Sequence, residues 1–64
     1  MKPHQERVVV EKAELDAKCD KLRTFITGDV FKTLDDDEQN RLTRQLEVMT
    51  EYSQILEDRI ENFE

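Results

Sequence analysis

Residues 42–63 read LTRQLEVMTEYSQILEDRIENF, and in this stretch Leu42, Leu46, Met49, Ser53, Leu56, Ile60 and Phe63 follow one another at spacings of four and three. Taken as a helix, the pattern is a 3.5-residue repeat. It draws a narrow, largely apolar stripe that is buried by laying another helix along it rather than by wrapping a globular core. A second apolar pair, Val48 and Ile55, lies one heptad apart and off this seam. A lone pair of helices leaves those two wet, which makes them candidates for a contact between subunits.

The partner stripe lies upstream. Val8, Leu15 and Leu22 recur every seven residues, and Cys19 and Ile26 each stand four beyond a member of that set. Val9, Val10, Ala13 and Ala17 widen the apolar surface near the start of this helix, so a further neighbour is expected there. Pro3 suits a first helical turn, and the helix is expected over about 3–26.

Thr27-Gly28-Asp29 is expected to end it, with glycine in the left-handed conformation and Asp29 capping a new turn. A short helix over about 30–34 follows. Phe25, Phe31 and Leu34 are placed to plug the corner. Asp35, with Glu38 three residues on, has the form of a capping box opening a last helix over about 36–62, and Asp36 and Asp37 set negative charge against its positive dipole end. The fold expected is therefore all-α: one helical domain spanning residues 1–64, a hairpin of two long helices with a short helix at the bend, assembled into a homo-oligomer. A chain of this size is marginal when folded alone, and oligomerisation is a natural remedy.

The chain carries 41% charged residues and a net charge of −6. The charge is segregated: residues 1–26 hold six Lys or Arg against five Asp or Glu, and residues 27–64 hold four against eleven. Such a surface repels a phosphate backbone, so duplex nucleic acid is not an expected partner. No long apolar run or leader-like start is present, and the expectation is a soluble intracellular protein without a membrane partner. The single cysteine, Cys19, reads as a small buried hydrophobe. The Asp run reads as helix capping rather than a metal site, because adjacent carboxylates on one helix start do not converge on an ion.

Catalysis has little to stand on. There is one His, no Gly-rich phosphate loop, no paired nucleophile and base, and no HExxH spacing, so neither an enzyme nor a cofactor is expected. Binding residues are easier to place. Gln45, Tyr52 and Arg59 form a heptad row beside the seam of the last helix, at the edge of the groove between the helices. Lys18 holds the matching flank of the first helix, one heptad after Glu11 and one before Phe25. A cation so close to apolar surface suits a ligand, although a surface ion pair from Lys18 to Glu14 and simple snorkelling of Arg59 over Phe63 are open alternatives. His4 and Arg7 stand one turn apart at a helix start, which suits a phosphate, and a solvated helix end accounts for them as well.

The order of residues also resembles a family. Pro3-His4-Gln5-Glu6-Arg7-Val8-Val9, Glu11-Lys12-Ala13-Glu14-Leu15-Asp16-Ala17-Lys18, Lys21-Leu22 and Phe25-Ile26 are similar to small helical proteins encoded by tailed phages. Phe31-Lys32-Thr33-Leu34, Glu38, Arg41-Leu42, Gln45-Leu46, Met49, Tyr52, Leu56 and Arg59-Ile60 continue the likeness, which covers most of the chain. Some members of that group resemble the anti-CBASS sponges, which sequester cyclic di- and trinucleotide messengers in the cytoplasm of the infected bacterial host. The resemblance implies capture without chemistry by a compact homo-hexamer. It implies a cyclic dinucleotide between paired subunits and a cyclic trinucleotide in a separate pocket. Lys18 falls where the family's dinucleotide site has a lysine, and Arg59 where its trinucleotide pocket has an arginine. Where the family has a tyrosine about four turns before the lysine, this chain has Pro3 with His4 beside it. Charge alone points to a second class of function: an acidic helical adaptor or inhibitor whose carboxylates in residues 35–64 cover a basic host protein, with affinity that falls with salt.

Overall fold

The computed structural model describes all residues 1–64. Helix α1 runs Pro3–Ile26, α2 is a single turn at Asp29–Lys32, and α3 runs Asp36–Glu61. Helices α1 and α3 pack closely against each other, with α2 between them in sequence, in a rod of 47 × 14 × 13 Å. The contacts fix the pairing as antiparallel: Gln5 reaches Glu64, Lys12 reaches Glu57 and Asp16 reaches Ser53.

Burial follows the heptads. On α1 the inward positions are Gln5, Val8, Lys12, Leu15, Cys19, Leu22 and Ile26, and on α3 they are Gln39, Leu42, Leu46, Met49, Ser53, Leu56 and Ile60, with Phe63 just past its end; each is buried or half-buried. Leu56 alone among the large side chains is fully enclosed, at 0% exposure. Cys19 is free and buried, packed as a small apolar group. Between two helices a stripe is covered from one side only, so most of its residues keep an exposed flank.

The bend corrects one expectation. Gly28 is not left-handed: its φ and ψ are −91° and 174°, and no residue has positive φ. The carbonyls ending α1 are instead met by the Thr27 amide, which donates to Arg23 O at 3.3 Å, and by the Gly28 amide, which donates to Phe25 O at 3.0 Å. With Thr27 right-handed, the turn closes without a left-handed residue, and extended Gly28 becomes the N-cap of α2. Asp29 is the first residue of that turn rather than its cap. Phe25 and Phe31 meet edge to face at the corner, ring centres 6.5 Å apart. The Gln39 side chain then ties the bend to α3, its Nε2 donating to Phe31 O and Leu34 O, both at 3.0 Å.

The start of α3 is capped as the sequence indicates, with the Glu38 amide donating to Asp35 Oδ1 at 2.8 Å. The reciprocal half of a capping box is not made, because the Glu38 carboxylate accepts from Arg41 Nε at 2.9 Å. At the other end of the rod, buried Gln5 is satisfied on both sides of its amide. Its Oε1 accepts from the Lys2 amide at 3.1 Å and its Nε2 donates to Glu64 O at 3.1 Å.

Leu56 is the most enclosed side chain in a structure with little other core. Leu56→Ala is expected to cost about 2–5 kcal/mol, a large part of what a small domain has. Thermal or urea unfolding followed by helical circular dichroism measures this, and Glu47→Ala at an exposed position of α3 without an ion pair serves as the small-effect control.

Candidate functional site

Two long edges flank the seam, and they differ in chemistry. Along one, the seam itself admits charge: the Lys12 ammonium donates to Asp16 Oδ2 at 2.7 Å and lies 3.5 Å from Glu57, while the Ser53 hydroxyl donates to Asp16 Oδ1. The hydrogen bond from Lys12, and then that from Ser53, hold the Asp16 carboxyl below its ordinary value. Lys12 is raised in turn, chiefly by its hydrogen bond to Asp16. An open hollow of about 340 Å³ on this edge is lined by Asp16, Cys19, Asp20, Arg23, Thr50, Ser53 and Gln54. Its one cation, Arg23, is paired with Asp20 at 3.0 Å. Anions have no free positive group to meet there.

The opposite edge carries the row picked out in the sequence. Here the Tyr52 hydroxyl donates to Glu11 Oε2, joining the two helices. Arg59 lies one heptad beyond Tyr52 on α3, and Lys18 one heptad beyond Glu11 on α1. Lys18 and Arg59 therefore flank the same edge of the seam, one on each long helix. Both are exposed, and neither makes an ion pair within the chain. The pairing of Lys18 with Glu14, left open by the sequence, is not formed.

Pro3, His4 and Arg7 are exposed in the first turns of α1. Pro3 and Arg7 line a shallow hollow of about 440 Å³ with Glu6, Val10, Glu11 and Glu14. This surface belongs to one helix and holds three carboxylates against one guanidinium, so a single protomer offers an anion little there. The structure brings Pro3 and Arg7 together in one hollow, sets His4 at the end of the rod where α3 finishes, and places Lys18 farther along α1. No group of three or more His, Cys, Asp or Glu side chains is arranged to hold a metal ion, and no helix is long and apolar enough to cross a membrane.

Sequence reading passed over the Lys12, Asp16 and Glu57 cluster and the Gln5 clamp. The signal was available: Gln5 and Lys12 continue the seven-residue series of Cys19 and Ile26 toward the N-terminus, so polar residues at inward positions were legible as partners in waiting.

The Sequestin family profile matches the chain over residues 2–62. The chain belongs to the Sequestin family. That span takes in both long helices, the bend, and every residue placed on the two edges, so the membership describes the whole fold. It supports a phage anti-defence protein that sequesters cyclic nucleotides, and Sequestin-type proteins are sponges without catalysis. No curated protein and no solved structure shows significant similarity to the chain.

The polar cluster carries a pH signature. Because the folded Asp16 value is depressed, its contribution is fully present above the ordinary 3.8 and is lost as pH falls through the folded value. Lys12, raised above 10.5, contributes fully below that value and loses its contribution as pH rises through the folded one. The difference in Tm between the native chain and Asp16→Asn should therefore be constant across neutral pH and shrink in acid below about 3.8. A difference that does not change with acid would remove the charge pair as its cause.

Proposed function

We infer that this chain is a phage immune-evasion sponge that captures cyclic di- or trinucleotide messengers of bacterial anti-phage defence in the cytoplasm of the infected host. Membership of the Sequestin family over residues 2–62 is the observation that carries this reading. Lys18 and Arg59 are its principal ligand-binding residues, with Pro3, His4 and Arg7 at the helix start. Lys18 presents a compact cation to a bridging phosphate, and Arg59 a fork of donors to a phosphate or base edge.

The family resemblance, which sets a lysine in one pocket and an arginine in another, argues for two separate pockets rather than one, each completed by another copy of the chain. Exposed apolar groups supply surface for that assembly: Val10 is 54% exposed, Val48 48% and Ile55 57%, and Ala13 and Ala17 allow close helix approach. A closed homo-oligomer, a hexamer on the family resemblance, repeats each site by symmetry and sets several copies of a cation around one ligand. This offsets the repulsion of an anionic ligand by a chain of net charge −6.

Native mass spectrometry of the purified protein, alone and with a panel of cyclic di- and trinucleotides, reports subunit number and ligand stoichiometry together. A ligand-loaded oligomer is the expected result. Lys18→Ala and Arg59→Ala should each weaken capture by roughly 10- to 100-fold, the worth of one hydrogen bond to a charged group, and each should act on a different ligand class. Absence of both a mass shift and calorimetric heat across the whole panel would sink the reading.

A further inference from the structure

We propose that Tyr52 is the platform on which a base of the captured nucleotide stacks. The proposal rests on the cyclic-nucleotide reading above and adds to it the residue that recognises the base. A nucleotide site needs a flat apolar face as well as a cation, since stacking on an aromatic ring supplies much of the affinity for an unpaired base.

The chain has few rings to offer: three Phe, one Tyr, one His and no Trp. Phe25 and Phe31 are spent on each other at the corner, and Phe63 is half-buried in the seam. His4 sits in the first turn of α1, at the end of the rod. Phe25 is about as exposed as Tyr52, at 39%, but stands at the corner against Phe31, and Tyr52 differs in its place and its anchoring. It lies in the middle of the long edge and is 40% exposed, and its hydroxyl is anchored to Glu11 so that the ring is held in place from the far helix. Val48 and Ile55, one turn to either side on the adjoining face of α3, border it with exposed aliphatic surface.

Charge decides what that surface accepts. Arg59, one heptad from Tyr52 and about 10 Å away along α3, and Lys18, on the flank of α1 that borders the same edge, have no ion-pair partners. The opposite edge has its cations Lys12 and Arg23 paired with acids. An apolar ring on an edge with two free cations fits a ligand with flat bases and negative linkages. A purely apolar partner would leave Lys18 and Arg59 unused.

Since there is one tyrosine and no tryptophan, tyrosine emission reports position 52 alone. The native oligomer is titrated with the cyclic di- and trinucleotide panel while heat and tyrosine fluorescence are recorded, with free tyrosine as the absorbance control. The expected result is quenching that saturates together with the heat. Tyr52→Leu, which keeps apolar bulk but removes the ring, should weaken binding about tenfold or more, and Tyr52→Phe should bind within about threefold of the native chain. Heat without quenching overturns the role of Tyr52 and leaves capture standing. No heat with any ligand overturns the capture reading and the proposal with it. If Tyr52→Leu changes the oligomer mass, the native titration decides alone: quenching supports the platform and its absence refutes it.

Discussion

Everything in this molecule hangs on one narrow stripe laid against another. Two helices of 24 and 26 residues touch along positions repeating at three and four, and this contact leaves Leu56 as the one large side chain wholly shut off from water. A seam of this kind fixes which residues lie beside it as firmly as which lie within it. The row of Gln45, Tyr52 and Arg59 and the row of Glu11 and Lys18 become one edge only because the seam aligns them. Its thinness also explains why so much aliphatic surface stays outside.

Lys12 occupies an inward position that an aliphatic residue would fill with more stabilisation. Its charge is matched by Asp16 and Glu57, and Ser53 completes the set. Polar groups at seam positions trade stability for a single register, because any slip along the helices strands them without partners. The satisfied charges of one edge thus hold the unsatisfied charges of the other in position.

Much of this was legible in the residues. The α3 stripe from Leu42 to Phe63 was complete as written, and the two long helices and the short one between them follow from it, from Pro3 and from the Asp35 cap. The α1 stripe was legible only in its apolar members, because Gln5 and Lys12 look like surface residues until their partners Glu64, Asp16 and Glu57 are known. Gly28 misled for a different reason. Glycine permits left-handed backbone without requiring it, and the Thr27 and Gly28 amides closed the turn by another route. As for the site, the sequence placed Lys18 and Arg59 beside the seam but was silent on their separation, which depends on how one helix is aligned with the other.

Gln5 joins both ends of the chain through a single side-chain amide, linking the Lys2 amide to the Glu64 carbonyl. Both termini consequently leave from the end of the rod that carries His4 and Arg59. A purification tag or fluorescent fusion on either terminus would crowd that end and compete with whatever docks there. A label attached at exposed Val30 or Thr33, at the far end of a 47 Å rod, would leave it clear.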